Sequence, residues 1–283
     1  MAQTAPDPTD AGAMTAQHPL PDVQGGPDFR RVAIDKVGVK EIRYPITLKT
    51  REGKMLSTVA NVNMYVSLPS HRKGTHMSRF LEVLNEYKEG IRPERIIELC
   101  HELRSRLDAA DAHVEMEFTY FMEKIAPVTG QPGLMDYEVK FTCAANGAED
   151  FIMSVTAPAT SLCPCSKEIS VYGAHNQRCL VTADVRFKRL VWIADLVEIL
   201  ERAASCEVYS VLKRPDEKFV TERAFENPKF VEDIVRDLAS ALVLDERVTW
   251  FHVRSENFES IHSHNAYAEI TRDKRKTGEL AGG

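Results

Sequence analysis

The sequence predicts an α+β protein made of two passages with the same element order, strand–strand–helix–helix–strand–strand. Three observations carry that prediction. Runs of alternating apolar and polar residues mark strands. Two pairs of helical patterns each lie between such runs. An Asn146-Gly147 dipeptide, a strong hairpin signal, separates the passages. Antiparallel strands with paired helices on one face form an α+β layer.

The first passage opens with the extended segments "VAIDKVGVKEIRYPITLKT" and "MLSTVANVNMYVSLP". In the second of these, Val62, Met64 and Val66 alternate with more polar neighbours, as a half-buried strand requires. "MSRFLEVLNEYKEG" sets Phe80, Val83, Leu84 and Tyr87 on one helical face and stops at Gly90. "RPERIIELCHELRSRLDA" has Pro93 in its first turn, where the missing N–H costs nothing. Val114, Met116 and Phe118 then alternate with Glu115 and Glu117, and "MDYEVKFTCAA" completes the passage. In the second passage "DFIMSVTAPAT" and "QRCLVTADVRF" read as strands. "WIADLVEILERAASC" and "NPKFVEDIVRDLASALVL" read as amphipathic helices, the latter opened by Asn227-Pro228. "TWFHVRSENFESI" and "HSHNAYAEITR" close as strands. The expected division is a disordered tail over 1–28, one unit over 29–146, a second over 147–273 carrying most of the site, and a flexible end over 274–283.

With 283 residues, 43% of them apolar, the chain can bury a real core. A net charge of −6 argues against nucleic-acid binding, which needs a basic face. It leaves room for a small basic pocket that takes a phosphorylated metabolite. No apolar run approaches the ~20 residues of a membrane helix. The start, rich in Pro, Gly, Asp, Ala and Thr, lacks the basic and apolar regions of a signal peptide. A cytoplasmic protein with reduced thiols is expected, and the six cysteines have no framework spacing.

"SLCPCSKEIS" places Cys163 and Cys165 on an expected surface loop just beyond a strand. Buried hydrophobe, disulfide, nucleophile and metal ligand are all open readings; a C-x-C disulfide would be strained and easily reduced. "ESIHSHNAYAEI" sets His262 and His264 two apart, on one side of a strand. His175 lies at a loop-to-strand boundary, and Glu217 in a polar connection between helices. Each alone has an ordinary structural explanation. Together a thiolate, two imidazoles and a carboxylate suit zinc or a similar divalent ion.

"GTHMSRF", "SLCPCSKEIS", "GAHNQR" and "ENFESIHSHNAYAE", in that order, resemble the type IB GTP cyclohydrolase family over about residues 30–272. The resemblance implies a tunnelling fold, in which tandem ββααββ units close into barrels by oligomerisation, and a homotetramer with active sites at subunit interfaces. It implies conversion of GTP and water to 7,8-dihydroneopterin triphosphate and formate, the entry to tetrahydrofolate synthesis. It places the metal ligands on Cys163, His175, Glu217 and His262, with Zn2+, Mn2+ or Fe2+ as the cofactor. It also expects a purine-anchoring glutamate at a helix start, and Glu232 fits.

The chemistry then assigns the remaining roles. His264 or Glu259 would protonate purine N7, alongside Cys163 as an exchangeable ligand. Lys167, Arg79 and Lys213 would hold the triphosphate, with His76 and Ser78 beside Arg79. Two rival readings stay open. One is an NADPH-dependent 7-deazaguanine nitrile reductase of the same fold, with Cys163 as nucleophile. The other is a non-catalytic metal-binding assembly protein.

Overall fold

The computed structural model describes residues 21–147 and 149–276. The first half runs β1 (Ile34–Lys49), β2 (Met55–Leu68), α1 (Met77–Tyr87), α2 (Pro93–Arg106), β3 (Ala112–Ile125) and β4 (Pro132–Ala145). The second runs β5 (Glu149–Leu162), α3 (Pro164–Ile169), β6 (Asn176–Phe187), α4 (Ile193–Ala203), β7 (Cys206–Glu207), α5 (Arg214–Glu226), α6 (Val231–Leu244), β8 (Val248–Asn257) and β9 (Ala266–Asp273). The second half therefore carries the frame of the first with α3, β7 and α5 inserted.

All the strands lie in one antiparallel sheet of order β1-β2-β3-β4-β5-β6-β8-β9, with β7 paired to β5. The halves share that sheet through the β4–β5 hairpin, in which Ala145 faces Glu149. The period of two sorts the sheet's faces. Ala60, Val62, Met64 and Val66 of β2 are buried, while Asn61 and Asn63 point to the other side. The helix pairs α1/α2 and α4/α6 cover the apolar face. Phe80, Leu99, Leu200 and Leu238 from those helices join Met116 and Phe251 of the strands in one continuous core. The opposite face stays polar and holds an open groove of 810 Å³ lined by Arg43, Asn61, Glu117, Lys140, Thr156 and Arg254.

Five expectations are corrected. Residues 21–28, assigned to the tail, run along the segment before α1. Gly74 N donates to Gln24 O (3.0 Å), Lys73 N to Gly26 O (3.0 Å) and Asp28 N to His71 O (2.9 Å). Residues 1–20 of that expected tail lie outside the described residues. Lys274, assigned to a flexible end, donates through Nζ to Asp245 O (2.8 Å) and Leu242 O (3.1 Å); residues 277–283 lie outside the described residues. The cysteine loop contains a helix, α3, because Pro164 pre-sets its first turn and Cys163 caps it. The polar connection around Glu217 is helix α5, opened by Pro215. His262 and His264 sit in the loop between β8 and β9, not on a strand.

Candidate active site

Four of the six cysteines, at 100, 143, 179 and 206, are buried. Burial pushes the Cys179 thiol up to about 12 and the Cys206 thiol up to about 11, which keeps both inert at neutral pH. Cys163 is half-buried and Cys165 exposed. Cys163 follows β5 directly and is the N-cap of α3, where its sulfur accepts the Ser166 N–H at 3.4 Å. Its own N–H donates to His175 O at 3.1 Å. The Ser166 hydroxyl completes the link, accepting from His175 N (3.1 Å) and donating to Cys163 O (3.3 Å). Two residues twelve apart in sequence are thus fixed side by side through backbone and one hydroxyl.

The His175 ring is held as well. Its Nδ1 lies 2.9 Å from Gln177 Oε1 and 3.4 Å from Ser260 Oγ. Gln177 Nε2 in turn donates to Glu259 Oε1 at 3.3 Å. Glu259 therefore meets the site through Gln177. Sequence reasoning overlooked Gln177 and Ser166; both stood in the quoted motifs, but neither residue type draws attention as a ligand.

Helix α5 carries Glu217 in its first turn, exposed, with Lys213 as N-cap. What fixes that turn is Asp216, fully buried. Its carboxylate accepts from Val128 N (2.8 Å), Thr129 N (2.9 Å), Thr129 Oγ1 (2.6 Å) and Lys213 N (2.9 Å). Burial alone would raise its pKa. The Thr129 hydroxyl and the backbone N–H groups outweigh that and hold the carboxyl well below the usual range. The β3–β4 turn of the first half thereby anchors the helix that carries Glu217. At the other end of α5, Lys167 places Nζ 2.5 Å from Phe225 O and 4.4 Å from the Phe225 ring centroid. Expected to hold phosphate, Lys167 here binds α3 to the last turn of α5, where helix carbonyls favour a cation.

His262 and His264 are exposed, their rings stacked at 5.1 Å and 22°. Glu232 occupies the first turn of α6 and is exposed. His76 occupies the N-cap position of α1 without a side-chain capping bond and lies 3.4 Å from Asp22; Ser78, two residues on, is exposed. The Arg79 guanidinium donates to Arg106 O at 3.4 Å. Among the described residues, no hydrogen bond or ion pair joins His76, Ser78 or Arg79 to the Cys163 loop.

The donor chemistry of Cys163 and His175 fits a divalent ion: a sulfur, and a ring whose outer nitrogen is not spent on Gln177. Their pairing by backbone fits as well. The full quartet does not come together within one chain. Among the described residues, no three His, Cys, Asp or Glu side chains are placed to hold a metal ion.

Comparison with known proteins decides the family. A family model described as type I GTP cyclohydrolase folE2 matches residues 20–268. The chain belongs to this family. Every candidate residue, from His76 to His264, lies inside the matched span. A GTP cyclohydrolase FolE2 of Magnetococcus marinus is 57% identical over 92% of this chain and 98% of its own length. One of Geobacter sulfurreducens is 55% identical over 91% of this chain and all of its own. This FolE2-family chain also resembles the crystal structure of uricase from Arthrobacter globiformis, with a TM-score of 0.50 at 10% identity. That likeness covers 86% of this chain and 94% of the uricase, and it is one of fold alone.

Proposed function

We propose that this FolE2-family chain is a GTP cyclohydrolase that converts GTP and water to 7,8-dihydroneopterin triphosphate and formate, the first step of tetrahydrofolate synthesis. The observation that carries the reading is the fixed pair Cys163–His175, set inside a chain whose relatives at 50–57% identity are named GTP cyclohydrolase FolE2. The finer type IB assignment, the tunnelling fold and the division into units 29–146 and 147–273 belong to this proposal. So does a cytoplasmic location; among the described residues no helix is long and apolar enough to cross a membrane.

Cys163, His175, Glu217 and His262 would hold the cofactor, Zn2+, Mn2+ or Fe2+. A divalent ion bound there supplies a nucleophile by lowering the pKa of water towards ~7. The chain's own residues do the rest. Glu232 as a carboxylate accepts hydrogen bonds from guanine N1–H and the 2-amino group. Adenine cannot offer that pair of donors, so this contact selects the base. Attack at C8 requires a proton at N7, and His264, whose ring stacks on that of His262, would give it. Proton transfer of this kind contributes typically ~10²- to 10⁴-fold. Glu259 is the second candidate for that proton. Lys167, Lys213 and Arg79 would supply cations for the triphosphate, with His76 and Ser78 just before Arg79.

A homotetramer with sites between subunits accounts for two features. The ligand quartet is incomplete in one chain. Beside it, the end of α3 and the turn after it hold up Ile169, Val171 and Tyr172, exposed at 77%, 90% and 101%, an apolar tip that water alone does not favour. The polar sheet face, with the buried and unpartnered Asn61 Oδ1, would line the tunnel.

The test is formate release from GTP by the full chain. We expect formate and a pterin product in equal amounts, loss of both on chelation, and recovery on adding Zn2+ or Mn2+. NADPH oxidation with a 7-deazaguanine nitrile, and no formate from GTP, would instead support the reductase. Metal binding with neither reaction would support a non-catalytic role.

A further inference from the structure

We infer that Glu259 and Gln177 form a positioning relay that sets which nitrogen of His175 carries the proton. The argument needs only donors and acceptors. A neutral imidazole has one N–H and one lone pair, and its neighbours choose between the two forms. Gln177 is amphoteric: its oxygen accepts, its nitrogen donates. Taken alone with His175 it could face either way. Glu259 removes that freedom, because a carboxylate only accepts and so must be offered the amide nitrogen. The amide oxygen is then left facing His175 at 2.9 Å. An oxygen there demands a donor, so the proton sits on Nδ1 and the lone pair on Nε2. The Ser260 hydroxyl at 3.4 Å from Nδ1 can accept from the same N–H. The reversed amide would set two oxygens against each other at Glu259.

The relay is built to hold. Gln177 lies on β6, opposite Ser161 of β5, and is 8% exposed. His175 is fixed through its backbone to Cys163 and Ser166. The consequence is a preset ligand: Nε2 is offered to a cation before any cation arrives. The relay stands by itself, and only this consequence rests on the metal reading above. It makes Glu259 a positioning residue that acts through Gln177.

The test uses the full chain, labelled with 15N at its histidine rings and stripped of metal by chelation. Ring nitrogen shifts report the tautomer, and a His175→Ala spectrum assigns the signal. In the wild type we expect His175 with its proton on Nδ1, against the Nε2–H form that a free neutral side chain prefers. Gln177→Leu removes the acceptor at similar volume and should return the ring towards the free preference. Glu259→Gln, nearly the same shape, frees the amide to turn and should give a mixture. Both variants should bind Zn2+ about 10- to 100-fold more weakly, the usual cost of losing a partner behind a ligand. A wild-type proton on Nε2, or an unchanged tautomer in both Gln177→Leu and Glu259→Gln, would overturn the relay. If the tautomers follow the prediction and the wild type binds no Zn2+, the relay stands and the metal reading falls.

Discussion

A single buried carboxylate fixes where Glu217 stands. Asp216 accepts four hydrogen bonds, three of them from a turn that precedes it by more than eighty residues. Removing it would orphan those donors in a buried place. Its folded-state pKa lies below the unfolded value of ~3.9, so the stability it adds is present above about pH 4. That contribution fades as the pH falls through the folded pKa. We therefore expect Asp216→Asn to lower the urea midpoint at pH 7, and the gap from wild type to begin closing below about pH 4. A gap that is the same at pH 7 and pH 3 would contradict this role. Asp216 was not legible in the sequence. A carboxylate one residue from a candidate ligand looks like any charge at a helix start; only the distant Val128–Thr129 turn reveals its work. His175 and Cys163 were legible because their residue types are rare and their motifs sharp.

At the level of elements, burial separates what the pattern could and could not show. Helix α6 buries Ile234, Leu238 and Leu242 and leaves Leu244 81% exposed at its end. Leu238→Ala should cost about 2–5 kcal/mol, while Leu244→Ala should cost close to none, both read from denaturant midpoints. Equal effects would mean that α6 does not pack on the sheet through this face. The periodicity of α6 announced it in the sequence, as did those of α1, α2 and α4. Helix α5 buries only Asp216 and Ala224, so it had no apolar stripe to betray it. It is held by its ends: Asp216 at the first turn, and Lys167 on Phe225 at the last. Helix α3 has six residues, too few for a period. The loop of His262 and His264 misled for another reason. Its flanking strands β8 and β9 alternate cleanly, and nothing in residues 258–265 marks where the chain leaves the sheet.

At the scale of the molecule, the described residues share one sheet stitched across its middle. Besides the β4–β5 pairing, Arg51 of the β1–β2 turn reaches Asp195 (2.9 Å) and Glu198 (3.0 Å) of α4. Lys124 and Tyr137 meet at Glu201 of the same helix, at 2.7 and 2.9 Å. The first half thus holds the second half's helices, and with them the platform for Cys163, His175, Glu217 and Glu232. The repeat of element order was visible in the sequence because each strand buries one face. The cross-links were not, since they join residues 64 to 147 apart whose charges look solvated locally. Within this platform the central claim is that four dispersed side chains share one cation. Its most direct test measures bound metal and formate release on the same preparations of Cys163→Ala, His175→Ala, Glu217→Ala and His262→Ala. The account predicts that each variant loses both metal and turnover while remaining folded by circular dichroism. A Glu217→Ala protein that keeps its full metal content and its rate would contradict it.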